Sequence, residues 1–179
     1  VGTSNSNPGL YKGEDDYTTY SGSTPPDNFT YYYRGSVQNN WVSFGGFLWR
    51  VVRINGDGTI RIALNQSIGT GAYNCNYNDN AYVGYMYGTA GSSTYAGTHA
   101  NTNDSNIKRG LDTWYQANLS QYNAYIADAI YCNDRSVTTG TFFGTSYTGT
   151  GKGTEVTAYS SLTRNYTNFT PSLICPNNN

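Results

Sequence analysis

The chain has 179 residues, a net charge of −1, 12% charged residues and 16% aromatic residues, most of them tyrosine. Its basic residues are scattered, with Lys108-Arg109 the only basic pair, which excludes a nucleic-acid surface built on clustered Lys and Arg. No apolar run approaches the roughly 20 residues that span a bilayer.

The length predicts one domain with a decorated edge, able to bury roughly 70% of the surface its unfolded chain exposes. Ordinary globular domains carry about twice this charge fraction. Solubility here rests on hydroxyls and amides, which reads as an extracellular, β-rich protein. Val1-Gly2-Thr3-Ser4 has no charged n-region and no apolar h-region. An export signal or anchor is therefore expected to have been removed or to lie outside this chain.

Residues 1–28 are poor in apolar side chains and read as an extended N-terminal segment ahead of a single domain at 29–179. Leu10 and Tyr11 can dock, Ser21 to Asp27 is a loop, and Pro25-Pro26 holds it extended. Phe29 to Val37 predicts a strand, with Gly35 a bulge or close-approach site. Gln38-Asn39-Asn40 turns the chain into the densest apolar run, Trp41 to Asn65. Phe47 to Ile54 is aromatic and β-branched. Asn55-Gly56-Asp57-Gly58 supplies the turn. Ile60, Ile62 and Leu64 then alternate with Thr59, Arg61 and Ala63. These runs predict a 47–65 hairpin at the centre of an antiparallel sheet.

Residues 66–104 lose hydrophobic periodicity and predict a structured surface insertion with a short strand at Ala81 to Tyr87. A helix over about 105–119 starts at Asp104 or Ser105, which can cap it, and carries Ile107, Leu111, Trp114, Tyr115 and Leu119 as a stripe. Tyr122 to Tyr131 predicts a short helix or turn passing into a strand at Ile130. Gly140 to Gly153 reads as a flexible hairpin tip. The fold class is α+β, with an antiparallel sheet, one main helix and long loop insertions.

Of three cysteines, Cys132 and Cys175 each end a short apolar run and are expected to pair, while Cys75 is free or engaged between chains. The only histidine, His99, lies in the polar run Tyr95 to Ala100 and reads as an exposed loop residue. No C-x-x-C spacing and no G-x-S-x-G elbow is present. No cofactor is expected. The oxygen-rich runs Asn76 to Asn80 and Asn101 to Asn106 offer a calcium candidate, chiefly Asn76, Asn78, Asp79 and Asn80, set against ordinary Asx turns. The N-x-[ST] triplets at Asn28, Asn118, Asn165 and Asn168 follow from composition alone.

The tyrosines exceed what one core absorbs. Tyr31, Tyr33, Trp41, Tyr82, Tyr85 and Tyr87 are candidates for a sugar- or protein-binding face or for a subunit interface, set against scattered half-exposed strand positions. A glycosidase reading needs two facing carboxylates from Glu14, Asp57, Asp112, Asp134 and Glu155. It stands third, behind two non-enzymatic readings: an adhesive or structural surface protein that packs with copies of itself or with other surface proteins, and a carbohydrate-binding module.

Gly9-Leu10-Tyr11, Tyr31-Tyr32-Tyr33-Arg34-Gly35, Val42-Ser43-Phe44-Gly45-Gly46-Phe47, Trp49-Arg50, Arg53-Ile54-Asn55 and Asp57-Gly58-Thr59-Ile60-Arg61 stand in that order. With the run Leu111 to Leu119, Ile130 to Ser136 and Pro171-Ser172-Leu173, they resemble a poorly characterised group of bacterial surface proteins. The likeness covers most of the chain outside 66–106 and 137–160. It implies an exported or membrane-anchored protein, in some cases with a pilin-like leader, and implies no catalytic residues. Members of the group continue beyond the second cysteine, so this chain is expected to be a processed or partial form unless its fold closes without that part. More distantly, F-G-G-x-x-W-R followed by a tryptophan-containing helix resembles modules of C-type-lectin-like fold.

Overall fold

The computed structural model describes residues 8–14, 29–72, 75–129, 135–163 and 167. They form a mixed α+β structure in which the paired strands are antiparallel, and only one helix is long. The described residues group into two compact units. The first draws on Val1–Ile68 and Asn118–Tyr131, the second on Gly69–Ala117 and Cys132–Asn168.

The first unit is the predicted sheet, enlarged. Its strands are β1 (Gly9–Glu14), β2 (Phe29–Arg34), β3 (Trp41–Phe44), β4 (Phe47–Ile54) and β5 (Ile60–Leu64). Part of the expected N-terminal extension is thus an edge strand: β1 pairs with β2 along its whole length, Gly9 opposite Arg34 and Glu14 opposite Phe29. β4 is the centre. β5 takes one edge, while β3 and β2 share the other, β3 opposite Phe47 to Arg50 and β2 opposite Arg53 and Ile54.

Between β2 and β3 the chain must leave the sheet and return. Gly35 permits this with φ of +72° and lies so close to Pro8 that a Cβ would meet its Cα at 2.9 Å. Asn40 ties the return to β4: its Nδ2 donates to Val51 O at 2.9 Å, and its carbonyl accepts from Val51 N at 2.7 Å. Arg50 reaches back to donate to Val37 O and Asn40 Oδ1. Its guanidinium also lies 3.7 Å from the centroid of the Trp41 ring, a contact worth about 0.5–1 kcal/mol when partly exposed.

A bulge between Val51 and Arg53 decides which side chains share a face. Ile60, Ile62 and Leu64 stand opposite Ile54, Val51 and Trp49, making one apolar face. Arg34, Arg50, Arg53 and Arg61 fall on the other, beside Tyr11, Tyr32 and Trp41. Basic residues scattered in sequence are thereby gathered, and three of them brace this face. Arg34 lies over Tyr11, Arg50 over Trp41, and Arg53 Nε donates to the fully buried Thr30 Oγ1 at 2.7 Å.

Both hairpin turns follow the glycine chemistry. Gly58 takes φ of +86° after a turn closed by Gly58 N donating to Asn55 O. Gly45 and Gly46, at φ of +61° and +82°, form a type I′ turn. Leu119 and Tyr122, the latter in a 3₁₀ turn at Ser120–Tyr125, pack over Gly45, and the Phe44 and Tyr122 rings lie 5.4 Å apart.

The second unit is built from short pieces. In chain order they are a 3₁₀ turn at Asn80–Tyr82, β6 (Met86–Tyr87), α1 (Tyr95–Thr98), β7 (Asn103–Asp104) and α2 (Asn106–Asn118). β8 (Val137–Thr138), β9 (Gly140–Phe142), β10 (Thr145–Tyr147), β11 (Ala158–Tyr159) and α3 (Ser160–Thr163) follow. Of the strand predicted over Ala81 to Tyr87 only β6 forms, because Asp79 caps the 3₁₀ turn by accepting from Ala81 N. Ser105, not Asp104, caps α2: it is fully buried and its Oγ accepts from Lys108 N at 3.0 Å. The Gly140 to Gly153 stretch contains a hairpin, β9 with β10, turned at Phe143-Gly144. Ile130 lies outside the described residues.

Replacing either turn glycine forces a Cβ into the left-handed region, at about 1 kcal/mol. At Gly45 that Cβ would also stand 2.7 Å from Leu119 Cδ2, whereas at Gly46 nothing lies within 4 Å. Urea unfolding is therefore expected to show a loss of about 1 kcal/mol for Gly46→Ala and at least twice that for Gly45→Ala.

Candidate functional site

The second unit surrounds a buried guanidinium. Arg135 is 2% exposed. Its Nη1 donates to Val83 O and Met86 O, and its Nη2 to His99 O at 3.0 Å and Asn101 Oδ1 at 2.6 Å. The positive charge is spread over backbone dipoles of two segments, which holds both in place. Tyr95 Oη donates to Arg135 O at 2.8 Å and closes the group.

His99 belongs to this group and is 3% exposed, not the exposed loop residue its polar neighbours predict. α1 is the reason, since one turn of helix brings Tyr95 and His99 to the same side. The two rings stack at 4.2 Å, and Tyr159 meets His99 edge-on at 5.7 Å. His99 Nδ1 lies 2.9 Å from Tyr95 O, and Nε2 lies 3.0 Å from Tyr159 Oη. A peptide carbonyl only accepts, so Nδ1 carries the proton. In the neutral ring Nε2 is then an acceptor, and Tyr159 must donate to it. Burial lowers the His99 pKa below its usual value; the Tyr95 carbonyl opposes this, and the nearby Arg135 charge reinforces it.

Tyr159 lines an open cleft of about 560 Å³, together with Tyr77, Asn80, Val83, Glu155 and Val156. The Asn76 to Asn80 run forms one wall through turn chemistry. Asn76 Oδ1 accepts from Asn78 N, and the two Asp79 carboxylate oxygens accept from Ala81 N and Gly91 N. The calcium-candidate oxygens of Asn76 and Asp79 thus serve the backbone. Asn80 is 9% exposed and spends its Nδ2 on Glu155 O and Thr157 Oγ1. Its Oδ1 takes no hydrogen bond among the described residues. Glu155 Oε2 accepts from both Thr150 N and Thr150 Oγ1, and those two bonds hold the carboxyl below the usual range.

The predicted tyrosines are distributed unevenly. Tyr31 and Tyr33 are half-buried and stand opposite Lys12 and Leu10 on the side of β1 that faces solvent. Trp41 is partly exposed beneath Arg50. Tyr87 is buried, edge-on to Tyr82 at 5.2 Å, so it offers no platform; its hydroxyl sits against the free, exposed Cys75. Tyr85 is exposed, with burial of its hydroxyl first and Asp112 second in raising its pKa. Cys132, Cys175 and Asp134 lie outside the described residues.

Glu14 is exposed at the end of β1. Asp57 closes the β4–β5 turn on Thr59, and Asp112 joins Asp104 in binding Lys108, which those bonds hold protonated. A second concavity, of about 450 Å³, lies in the first unit between Val42, Phe44, Ile60 and Ile62 on the apolar face and Tyr125 and Ile126. Among the described residues no three His, Cys, Asp or Glu side chains converge as a metal site, and no helix is long and apolar enough to cross a membrane.

Sequence reasoning missed His99, Arg135 and Tyr159. The available signal was the i, i+4 pairing of Tyr95 with His99, the only histidine. The chain matches no family model, no curated protein and no solved structure with which it was compared.

Unfolded, His99 titrates near 6.5; folded, it titrates lower, so the unfolded chain takes up the proton first as pH falls. Its contribution is whole above about pH 6.5, declines below that, and levels once the folded ring is protonated as well. Tyr95, Arg135 and Tyr159 are the groups that face it. Thermal unfolding between about pH 7.5 and about pH 5 is expected to show a falling Tm. The decline should be shallower in His99→Asn, whose amide can still donate to Tyr95 O and does not titrate.

Proposed function

We propose that the protein is a non-enzymatic component of the bacterial cell exterior, adhesive or structural, able to pack against copies of itself. The observation that carries this reading is the solvent-facing side of β1 and β2, where Leu10, Lys12, Tyr31 and Tyr33 form a mixed aromatic and aliphatic patch. Lys12 Nζ lies 3.5 Å from the Phe29 ring centroid and 5.9 Å from that of Tyr31. A charge content of 12% leaves little like-charge repulsion between such faces. The resemblance to exported bacterial surface proteins and the expected Cys132–Cys175 bridge agree with an extracellular setting.

The second reading, a carbohydrate-binding module, is favoured by the cleft around Tyr77, Asn80 and Tyr159. A glycosidase draws less support. Asp57 and Asp112 are engaged in a turn and an ion pair, and Glu155 has its pKa lowered, the wrong direction for a general acid.

Size-exclusion chromatography with negative-stain imaging across a concentration series tests the assembling form. Larger species that grow with concentration are expected, and a Tyr31→Ser, Tyr33→Ser double variant should shift them to monomer with its circular dichroism spectrum retained. A strictly monomeric wild type at high concentration would remove the assembling form and leave adhesion.

A further inference from the structure

We infer that the cleft of the second unit is a binding site for a neutral or amino-bearing saccharide, held without a metal ion. This rests on the carbohydrate-binding reading and assigns it a place and a ligand class. Beside Tyr77, Asn78 and Thr154, which can donate or accept, three polar groups of the cleft present acceptors to a ligand. Asn80 is nine-tenths buried, and its two amide protons are spent on Glu155 O and Thr157 Oγ1, so it presents Oδ1. The Glu155 carboxylate stays ionised because Thr150 donates to it twice. The Tyr159 hydroxyl proton is committed to His99 Nε2, so toward a ligand its oxygen accepts.

Such a cleft selects a molecule rich in donors. Sugar hydroxyls and ammonium groups donate, whereas carboxylate, sulfate and phosphate groups only accept and would meet the Glu155 charge. Tyr77 stands at the cleft and is 86% exposed, the most exposed aromatic side chain described, and Val83 and Val156 add apolar surface. An aromatic face beside convergent acceptors suits a pyranose ring, whose C–H face packs on the tyrosine while its hydroxyls reach the wall. His99 acts as a positioning residue. Its tautomer, set by Tyr95 O, fixes the direction of the Tyr159 proton.

The test uses the full chain on an array of neutral, amino-bearing and acidic glycans with and without EDTA, followed by calorimetry in EDTA with the best-bound neutral or amino-bearing glycan. The expected result is binding that survives EDTA, is confined to neutral or amino-bearing glycans and weakens about tenfold or more in Tyr77→Ala with unchanged Tm. Tyr125→Ala, equally exposed but in the first unit, should bind as wild type. Binding that Tyr77→Ala leaves intact would overturn the cleft while sparing the carbohydrate reading. Preference for acidic glycans, or loss of all binding in EDTA, would overturn the ligand chemistry. Binding to no glycan would overturn both the cleft and the module reading, leaving self-assembly to be judged by its own experiment.

Discussion

A buried cation must be satisfied, and the second unit is arranged to satisfy one. Arg135 has its guanidinium among carbonyls of Val83, Met86 and His99 and the side chain of Asn101. Removing a charge from water is expensive unless hydrogen bonds replace the solvent, so those carbonyls must point inward. Asn101 takes φ of +54° where it meets the guanidinium, a conformation asparagine tolerates better than most residues. In a unit whose strands are two or three residues long, regular ladders cannot define the fold. Side-chain hydrogen bonds do so instead. Arg135 holds 83–86 and 99–101, Asp79 holds 81 and 91, and Asn80 holds 155 and 157.

The first unit solves the opposite problem. It has ladders in plenty, and its constraint is to let β4 pair along one edge with two strands that meet end to end. Asn40 and Arg50 bridge that junction by bonding the backbone where the ladder is interrupted. The bulge near Val52 then turns Arg53 to the side of Arg50 and leaves Ile54 opposite Ile60. Without it Arg53, two residues after Val51, would point to the isoleucine face.

The same arrangement that stabilises the second unit also prepares its cleft. Asn80 uses its amide protons to fasten 76–80 to 155–157, and the Glu155 carboxylate closes the 150–155 loop on Thr150. What remains of each is an acceptor, already oriented in the case of Asn80 by its two amide bonds. Tyr159 is fixed by His99, which is itself fixed by Tyr95. Preorganisation of this kind lowers the ordering cost of binding, because the side chains have lost their freedom before a ligand arrives.

Local rules determined much of this protein directly. Paired glycines at 45–46 and the Asn55 to Gly58 run specify turns because only such residues accept positive φ cheaply. Ser105 specifies the start of α2 because its hydroxyl reaches Lys108 N. Alternation in Ile60 to Leu64 specifies a strand with two unlike faces. Tertiary structure alone decided the rest: that Gly9–Glu14 joins the sheet, that Tyr87 is buried while Tyr77 is not, and that four separated arginines share a face. It also decided that His99 leaves solvent to meet Tyr159, sixty residues further along the chain. Periodicity and turn chemistry act over a few residues, so they can be read in sequence. Burial of a polar side chain depends on which distant groups arrive to replace its water, and composition around His99 or Arg135 carries no record of that.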